Sequence, residues 1–248
     1  MKTFIKNNNS KFDDFLIKEK LAIDLLKASL KDEKLKTPKV VSVDNNYLVL
    51  ENIEKTLPTK EQMIILGEQL AKLHQNKYTQ YGFLEDNYIG LSLQKNVLCD
   101  NWGEFFFEYR LKTQSSFIKN SKLKKEFLEI LDNNSSKIKE LLNDNCSYPT
   151  LVHGDLWSGN VLFSKQNIYL IDPAVYFADR EVDIAMTQLF GGFTSDFYMS
   201  YHQINKLSED FDKKEIIYNL YHYLNHFNIF GDSYLSDCLD GFNFIDKL

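Results

Sequence analysis

The 248-residue sequence predicts an α+β chain of two lobes, a short β-rich lobe over residues 1–52 and a mostly helical lobe over 53–248. Three observations carry that expectation. Between Thr37 and Leu50, two β-rich runs flank the polar turn Asp44-Asn45-Asn46, the pattern of a hairpin. Before and after them, apolar residues recur at helical spacing. Further on, the short apolar runs Val161–Phe163 and Ile168–Ile171 are separated by Ser164-Lys165-Gln166-Asn167, which reads as a second hairpin inside the helical part.

Taken in order, Thr3-Phe4-Ile5-Lys6 reads as a strand and residues 13–28 as a helix whose apolar face is Phe15, Leu16, Ala22, Ile23 and Leu26. Glu19 falls on that face. A carboxylate turned toward a core is costly unless paired and hydrogen-bonded, and Lys6 from the preceding strand is the partner at hand. Glu51-Asn52-Ile53 close the first hairpin and join the lobes. The next helix opens on Thr59 with Gln62 three residues later, a capping-box pattern, and buries Met63, Leu66, Leu70 and Leu73. His74, at the edge of that stripe, is expected to be a hydrogen-bonded core histidine. The aromatic segment 218–223, with Phe227 and Phe230, is weighted toward core over pocket lining.

The chemistry concentrates in His153-Gly154-Asp155-Leu156-Trp157-Ser158-Gly159-Asn160, followed by Asp172-Pro173. In kinase-type phosphoryl transfer, an Asp accepts the substrate hydroxyl proton. An Asn five residues on and an Asp at the end of the next hairpin hold magnesium. Asp155, Asn160 and Asp172 reproduce that pattern, and the second hairpin returns Asp172 to the side of Asn160. Two hard oxygen donors then converge where Mg²⁺ on the phosphates of ATP would sit. A strand lysine held by a helix glutamate completes the set: Lys6 and Glu19 would face the α- and β-phosphates. Gly154 and Gly159 are expected to permit tight turns around Asp155.

These motifs resemble those of the fructosamine (ketosamine) kinases, within the aminoglycoside-phosphotransferase and choline-kinase group of protein-kinase-like folds. The likeness runs from His153 through Phe193. It continues at Asn87-Tyr88-Ile89-Gly90, Trp102–Phe106, Arg110, Gln114, and Tyr218 through Tyr234. It implies a protein-kinase-like bilobal fold with a truncated N-terminal sheet, and ATP-dependent phosphorylation of a ketosamine sugar hydroxyl, commonly O3, as deglycation repair. It further implies that Glu51, Asn52 and Ile53 receive adenine through their backbone. Trp157 and His226 would meet the substrate, and Asp183 would accept hydrogen bonds from the catalytic-loop backbone. His153 would fix that loop, and Arg180 and Asp179 would lie near the substrate side. The substrate would be a small-molecule or protein-bound ketosamine. The competing readings are a kinase for another hydroxyl acceptor and a non-catalytic nucleotide- or sugar-binding module.

One departure stands out. The first glycine is Gly67, so no Gly-rich hairpin precedes Lys6, and no Walker-type loop replaces it. An internal start, a natural short form and lost catalysis all fit that fact, and the uncovered strand edge would favour a homodimer. A net charge of −6 argues against nucleic acid or an anionic membrane as partner. Three scattered cysteines have no metal spacing and make a disulfide framework unexpected. With no apolar run of about 18 residues and no signal-peptide pattern, the expectation is a soluble, cytoplasmic protein.

Overall fold

A computed structural model describes residues 2–30 and 34–248. The smaller lobe holds β1 (Thr3–Asn7), α1 (Phe15–Ser29), β2 (Leu35–Lys36), β3 (Val40–Val43) and β4 (Tyr47–Glu51). Its sheet is antiparallel in the order β1-β4-β3, and α1 packs on it. Leu16 and Ile23 of α1 meet Leu48 and Leu50 of β4 in a hydrophobic cluster separate from the main core. The register runs from Thr3↔Glu51 to Asn7↔Tyr47, which points Lys6 at α1. Among the described residues β1 is one of the two outer strands, and its Phe4 and Ile5 are 53% and 57% exposed. Helix α1 begins at Phe15, two residues later than its periodicity suggests. Asp14 makes no side-chain cap there and instead accepts from the Tyr88 hydroxyl.

The larger lobe begins with α2 (Lys60–Leu73), then β5 (Tyr81–Gly82), β6 (Asn87–Ile89), β7 (Ser92–Gln94) and β8 (Leu98–Cys99). Helix α2 opens on the expected capping box: Gln62 N–H donates to Thr59 Oγ1 at 3.2 Å, and Thr59 N–H to Gln62 Oε1 at 3.0 Å. A continuous rod follows, α3 (Trp102–Phe106), a π-helical stretch Phe107–Lys112 and α4 (Thr113–Ser116), and it leads into α5 (Ser121–Asn133) and α6 (Ser135–Asn143). After β9 (Thr150–Val152) come β10 (Val161–Phe163), β11 (Ile168–Leu170) and β12 (Tyr176–Ala178). The chain closes with α7 (Glu181–Leu189), α8 (Ser195–Ile204), α9 (Phe211–Phe230) and α10 (Leu235–Ile245).

Three small sheets position the site. β10 and β11 form the expected hairpin, with Val161 opposite Leu170, and Ser164 N–H donates to the Asn167 carbonyl across its turn at 2.9 Å. The two-residue β2 joins β11 in parallel, a pairing without a periodicity signal. β9 and β12 flank the catalytic segment as neighbours in the sheet β8-β5-β12-β9, and β6 and β7 form a separate hairpin. The main core runs beneath all of them, from Leu66 and Leu70 of α2 to Leu220 and Leu224 of α9. Tyr218 and Tyr221 are buried in it, as weighted from sequence. His74 is fully buried, with Nδ1 2.9 Å from the Tyr201 hydroxyl and Nε2 3.3 Å from Asp183. Among the described residues, no helix is long and apolar enough to cross a membrane.

Candidate active site

A cleft of about 570 Å³ separates the lobes, and it has two unlike ends. One is ionic: Lys6 of β1, Glu19 of α1, Asp155 and Asn160 of the loop after β9, and Asp172 after β11. The other is aromatic: Trp157, Phe190, His226, Phe230 and Tyr234.

At the ionic end, Lys6 Nζ lies 2.7 Å from Glu19 Oε2 and 3.0 Å from Asp172 Oδ1. The strand–helix pair expected from sequence is therefore formed, and it reaches across the cleft to the second lobe. Burial alone would lower the Lys6 pKa, but the two carboxylates outweigh it and hold the ammonium charged. Burial pushes the Glu19 carboxyl up to about 7, against the pull of Lys6. Asn160 donates Nδ2 to the Asp155 carbonyl at 2.8 Å and to Asp155 Oδ2 at 3.1 Å. Burial raises Asp155 to about 7; that amide bond opposes it, and Asp172 and Asp183 add like charge. A carboxyl poised near neutrality suits a general base.

The loop is fixed from behind. Asp183, fully buried, accepts the backbone N–H groups of His153 at 2.7 Å and Gly154 at 2.9 Å. These bonds, with the His74 contact, outweigh its burial and keep it ionised. His153 Nδ1 accepts from the Asp155 N–H at 3.3 Å, so the imidazole is the Nε2–H tautomer, and Nε2 donates to the Ile171 carbonyl at 2.9 Å. Burial lowers its pKa, in keeping with a neutral bridge between the two catalytic loops. Gly154 has φ +79°, and a Cβ there would meet the Ala174 carbonyl oxygen at 2.1 Å. Gly159 serves differently from the turn expected: a Cβ would collide with the Trp157 indole at 2.2 Å, so it is the fold-back of Trp157 that requires glycine.

Glu19 and Asp172 both pair with Lys6 at this end, and Asp155 lines the same cleft. Because Asn160 directs its amide nitrogen to Asp155, its oxygen is left for a cation, and the Asp172 side chain is 45% exposed. Among the described residues, no cluster of three His, Cys, Asp or Glu side chains could enclose a metal unaided. A two-oxygen protein set completed by phosphates is the usual pattern for Mg²⁺, and Asn160 with Asp172 fits it.

At the aromatic end, Trp157 meets Phe190 edge-on at 6.0 Å, and Phe190 meets His226 edge-on at 5.4 Å. His226 stacks with Tyr234 at 5.0 Å and Phe230 at 5.7 Å. His226 Nδ1 lies 2.8 Å from the His222 carbonyl, an acceptor, so Nδ1 carries the proton and Nε2 keeps a lone pair. Burial lowers its pKa, which favours that neutral form. Phe230, weighted toward the core from its helical spacing, is instead exposed and lines the cleft, because it ends the last turn of α9; Phe190 and Tyr234 fall within the family likeness without being singled out as site residues.

Several expectations need correction or narrowing. Asp179 is buried away from the cleft, accepting from the Tyr218 hydroxyl at 2.8 Å with Lys214 at 3.7 Å, and Arg180 donates to the Lys206 carbonyl at 2.8 Å. Neither lines the cleft: after β12, Asp179 is buried in the core and the half-buried Arg180 turns toward Lys206. Glu51, Asn52 and Ile53 are also absent from its lining. The Glu51 N–H already donates to the Lys39 carbonyl at 2.8 Å and that of Asn52 to the Lys2 carbonyl at 3.0 Å. Sequence reasoning missed Lys18, which lines the cleft and pairs with Glu85.

A lysine on an edge strand held by a helix glutamate, facing an Asp–Asn loop and a second Asp across a cleft, defines a kinase-type phosphotransferase. Solved structures agree on the fold. A choline/ethanolamine kinase family protein from Mesorhizobium loti superposes with a TM-score of 0.59 at 14% identity, over 100% of this chain and 82% of its own. A candidate fructosamine-3-kinase from Haemophilus somnus gives 0.86 at 28% identity, covering 98% and 83%. The family model for fructosamine kinase matches residues 1–244, and the chain belongs to that family. Among its relatives, a probable ketoamine kinase of Synechocystis is 37% identical across 94% of this chain and 79% of its own length. The ketosamine-3-kinase of Mus musculus is 31% identical across 87% and 79%.

Proposed function

We propose that this kinase transfers the γ-phosphoryl group of ATP to a sugar hydroxyl of a ketosamine, at O3, initiating release of the amine. The observation that carries the reading is the joining of Lys6, Glu19, Asp155, Asn160 and Asp172 at one end of a cleft whose other end is aromatic. The acceptor hydroxyl donates its proton to Asp155 as its oxygen bonds to the γ-phosphorus, and the bond to the β–γ bridging oxygen breaks to leave ADP. Lys6, kept charged by Glu19, holds the α/β-phosphates. Mg²⁺ at Asn160 and Asp172 would offset charge on the β- and γ-phosphates. The sugar packs against Trp157, and the Nε2 lone pair of His226 accepts a hydrogen bond from the substrate's ammonium or hydroxyl. Adenine reaches the lobe junction, where the engaged amides of Glu51 and Asn52 confine pairing to their carbonyls and to Ile53.

The test is incubation with Mg²⁺–ATP and a fructosamine or ribulosamine, with the phosphorylated carbon located by NMR. Phosphate on O3, absent with Asp155→Asn, supports the proposal, and ATP binding without transfer rejects it. We place the enzyme in the cytoplasm, where ATP is supplied and the free thiols Cys99, Cys146 and Cys238 stay reduced. Among the described residues β1 is an edge strand, and that edge suits pairing with a second copy; elution as a monomer at high concentration argues against that dimer.

A further inference from the structure

The hairpin β6–β7 touches both helix α1 and the segment after Asp172, and its two faces make different bonds. Asn87 and Gln94 lie directly opposite each other in the register, as do Tyr88 and Leu93, so period-2 alternation sends Asn87 and Gln94 to one face and Tyr88 to the other. On the first face, Asn87 Nδ2 donates to the Val175 carbonyl at 2.8 Å, and Gln94 Nε2 to the Ala174 carbonyl at 3.1 Å and Asn87 Oδ1 at 2.9 Å. The Ala174 N–H donates to the His153 carbonyl at 2.9 Å. The segment just beyond Asp172 is thus held from both sides, and Asp172 itself sits at φ +53°. On the second face, the Tyr88 ring packs 4.6 Å from Phe12 and 5.3 Å from Phe15, and its hydroxyl donates to Asp14 at the start of α1.

Arg110 anchors this hairpin. It is fully buried in the π-helical stretch, and among the described residues it has no carboxylate within ion-pair distance. Its guanidinium donates to the Lys95 carbonyl at 2.6 Å and Asn96 Oδ1 at 2.8 Å, and lies 4.1 Å over the Tyr176 ring. Asn96 Nδ2 in turn donates to Asn87 Oδ1 at 2.9 Å, and the Tyr221 hydroxyl donates to Gln94 Oε1 at 2.7 Å. A buried cation held by neutral oxygens and a ring face is a costly device for packing alone. It does turn Asn96, and through it Asn87, to a single donor–acceptor arrangement.

We infer that the β6–β7 hairpin, locked by Arg110, Asn96 and Gln94, is a bridge that sets helix α1 and the Asp172 loop in register, so that Lys6–Glu19 and Asp172 meet. Asn87, Gln94, Tyr88 and Arg110 are positioning residues, acting on the site through backbone carbonyls and through α1. The inference rests on the proposed roles of Lys6, Glu19 and Asp172, but its contacts can be tested without turnover.

The experiment is backbone hydrogen exchange on Gln94→Leu and Tyr88→Phe in the full chain, beside Mg²⁺ and ATP titrations of the reaction. Gln94 makes no hydrogen bond to α1, and the Tyr88 hydroxyl makes none to residues 172–175. A bridge carries each loss across: both variants exchange roughly fivefold faster in α1 and in 172–175 alike, the scale of a lost hydrogen bond. Gln94→Leu also raises the Mg²⁺ needed for half-maximal rate about tenfold, the size seen when the group orienting a metal ligand is lost. Asp14→Asn, still an acceptor for Tyr88, retains wild-type exchange, whereas Asp14→Ala matches Tyr88→Phe. Faster exchange confined to the segment each side chain touches overturns the inference. Coupled exchange in a protein that transfers no phosphate leaves the bridge standing and removes the kinase reading instead.

Discussion

The two ends of the cleft are built by opposite rules. The ionic end draws Lys6, Glu19, Asp155, Asn160 and Asp172 from β1, α1 and two loops, and fixes them by bonds of 2.7–3.1 Å. The aromatic end draws His226 and Phe230 from α9, with Tyr234 just beyond and Trp157 and Phe190 from loops, and fixes them by ring contacts of 5.0–6.0 Å. Charged groups at short range fail when displaced by an ångström, whereas apolar contact declines with area. The proposed function accordingly assigns chemistry to the first end and recognition to the second. Substitutions at one should show in kcat and at the other in KM.

The sharpest way to break that division is Asp155→Asn, which keeps the shape and removes the base. A fall in kcat of about 10³-fold is expected, with the acceptor KM little changed; steady-state kinetics with a retained rate would remove Asp155 from its role. The pH profile sharpens it further. Burial raises the Asp155 pKa to about 7, and the base must be ionised, so kcat/KM should rise with pH and level off above about 7. Two units below, the loss is roughly 100-fold; a limb starting near pH 4 would instead report an unperturbed carboxylate. Glu19→Gln comes next. Lys6 keeps Asp172 and a neutral acceptor at position 19 but loses the charge of its strand–helix partner, and kcat should drop roughly tenfold with a raised KM for ATP. The smallest effect is Phe230→Ala, which removes one ring from the aromatic end. The acceptor KM should rise about fivefold, near 1 kcal/mol, with kcat held. A kcat effect there equal to that of Glu19→Gln would erase the division of labour.

The same contrast governs how much was legible beforehand. The Lys6–Glu19 pair could be found because a carboxylate on an apolar helix face demands a partner and the neighbouring strand offers one. Thr59 with Gln62, and the return of Asp172 beside Asn160, are set within short stretches of chain, and both formed as expected. Other contacts are settled by residues far apart, where spacing is silent. Lys18 lies one position from Glu19 and would be assigned to solvent by periodicity, yet it reaches Glu85 across the cleft. The pairing of β2 with β11 spans more than a hundred residues. Asp179 and Arg180 were misplaced because motif order gives sequence adjacency to the metal loop, while β12 carries the chain past the cleft before they occur. Arg110 could not be understood from sequence at all, since an arginine buried without a carboxylate contradicts the ordinary expectation for that residue.

The backbone at Asp172 limits which amino acids its codon can acquire without harm. A left-handed φ of +53° is comfortable for glycine and tolerable for asparagine and aspartate, and it costs other side chains about 1–2 kcal/mol, most for branched ones. Of the three favoured residues, one has no side-chain oxygen to offer and one has no negative charge. A saturation library at this position should therefore sort into inactive Gly and Asn variants of near-parental stability, an intact parent, and a remainder that is both inactive and less stable by about 1–2 kcal/mol.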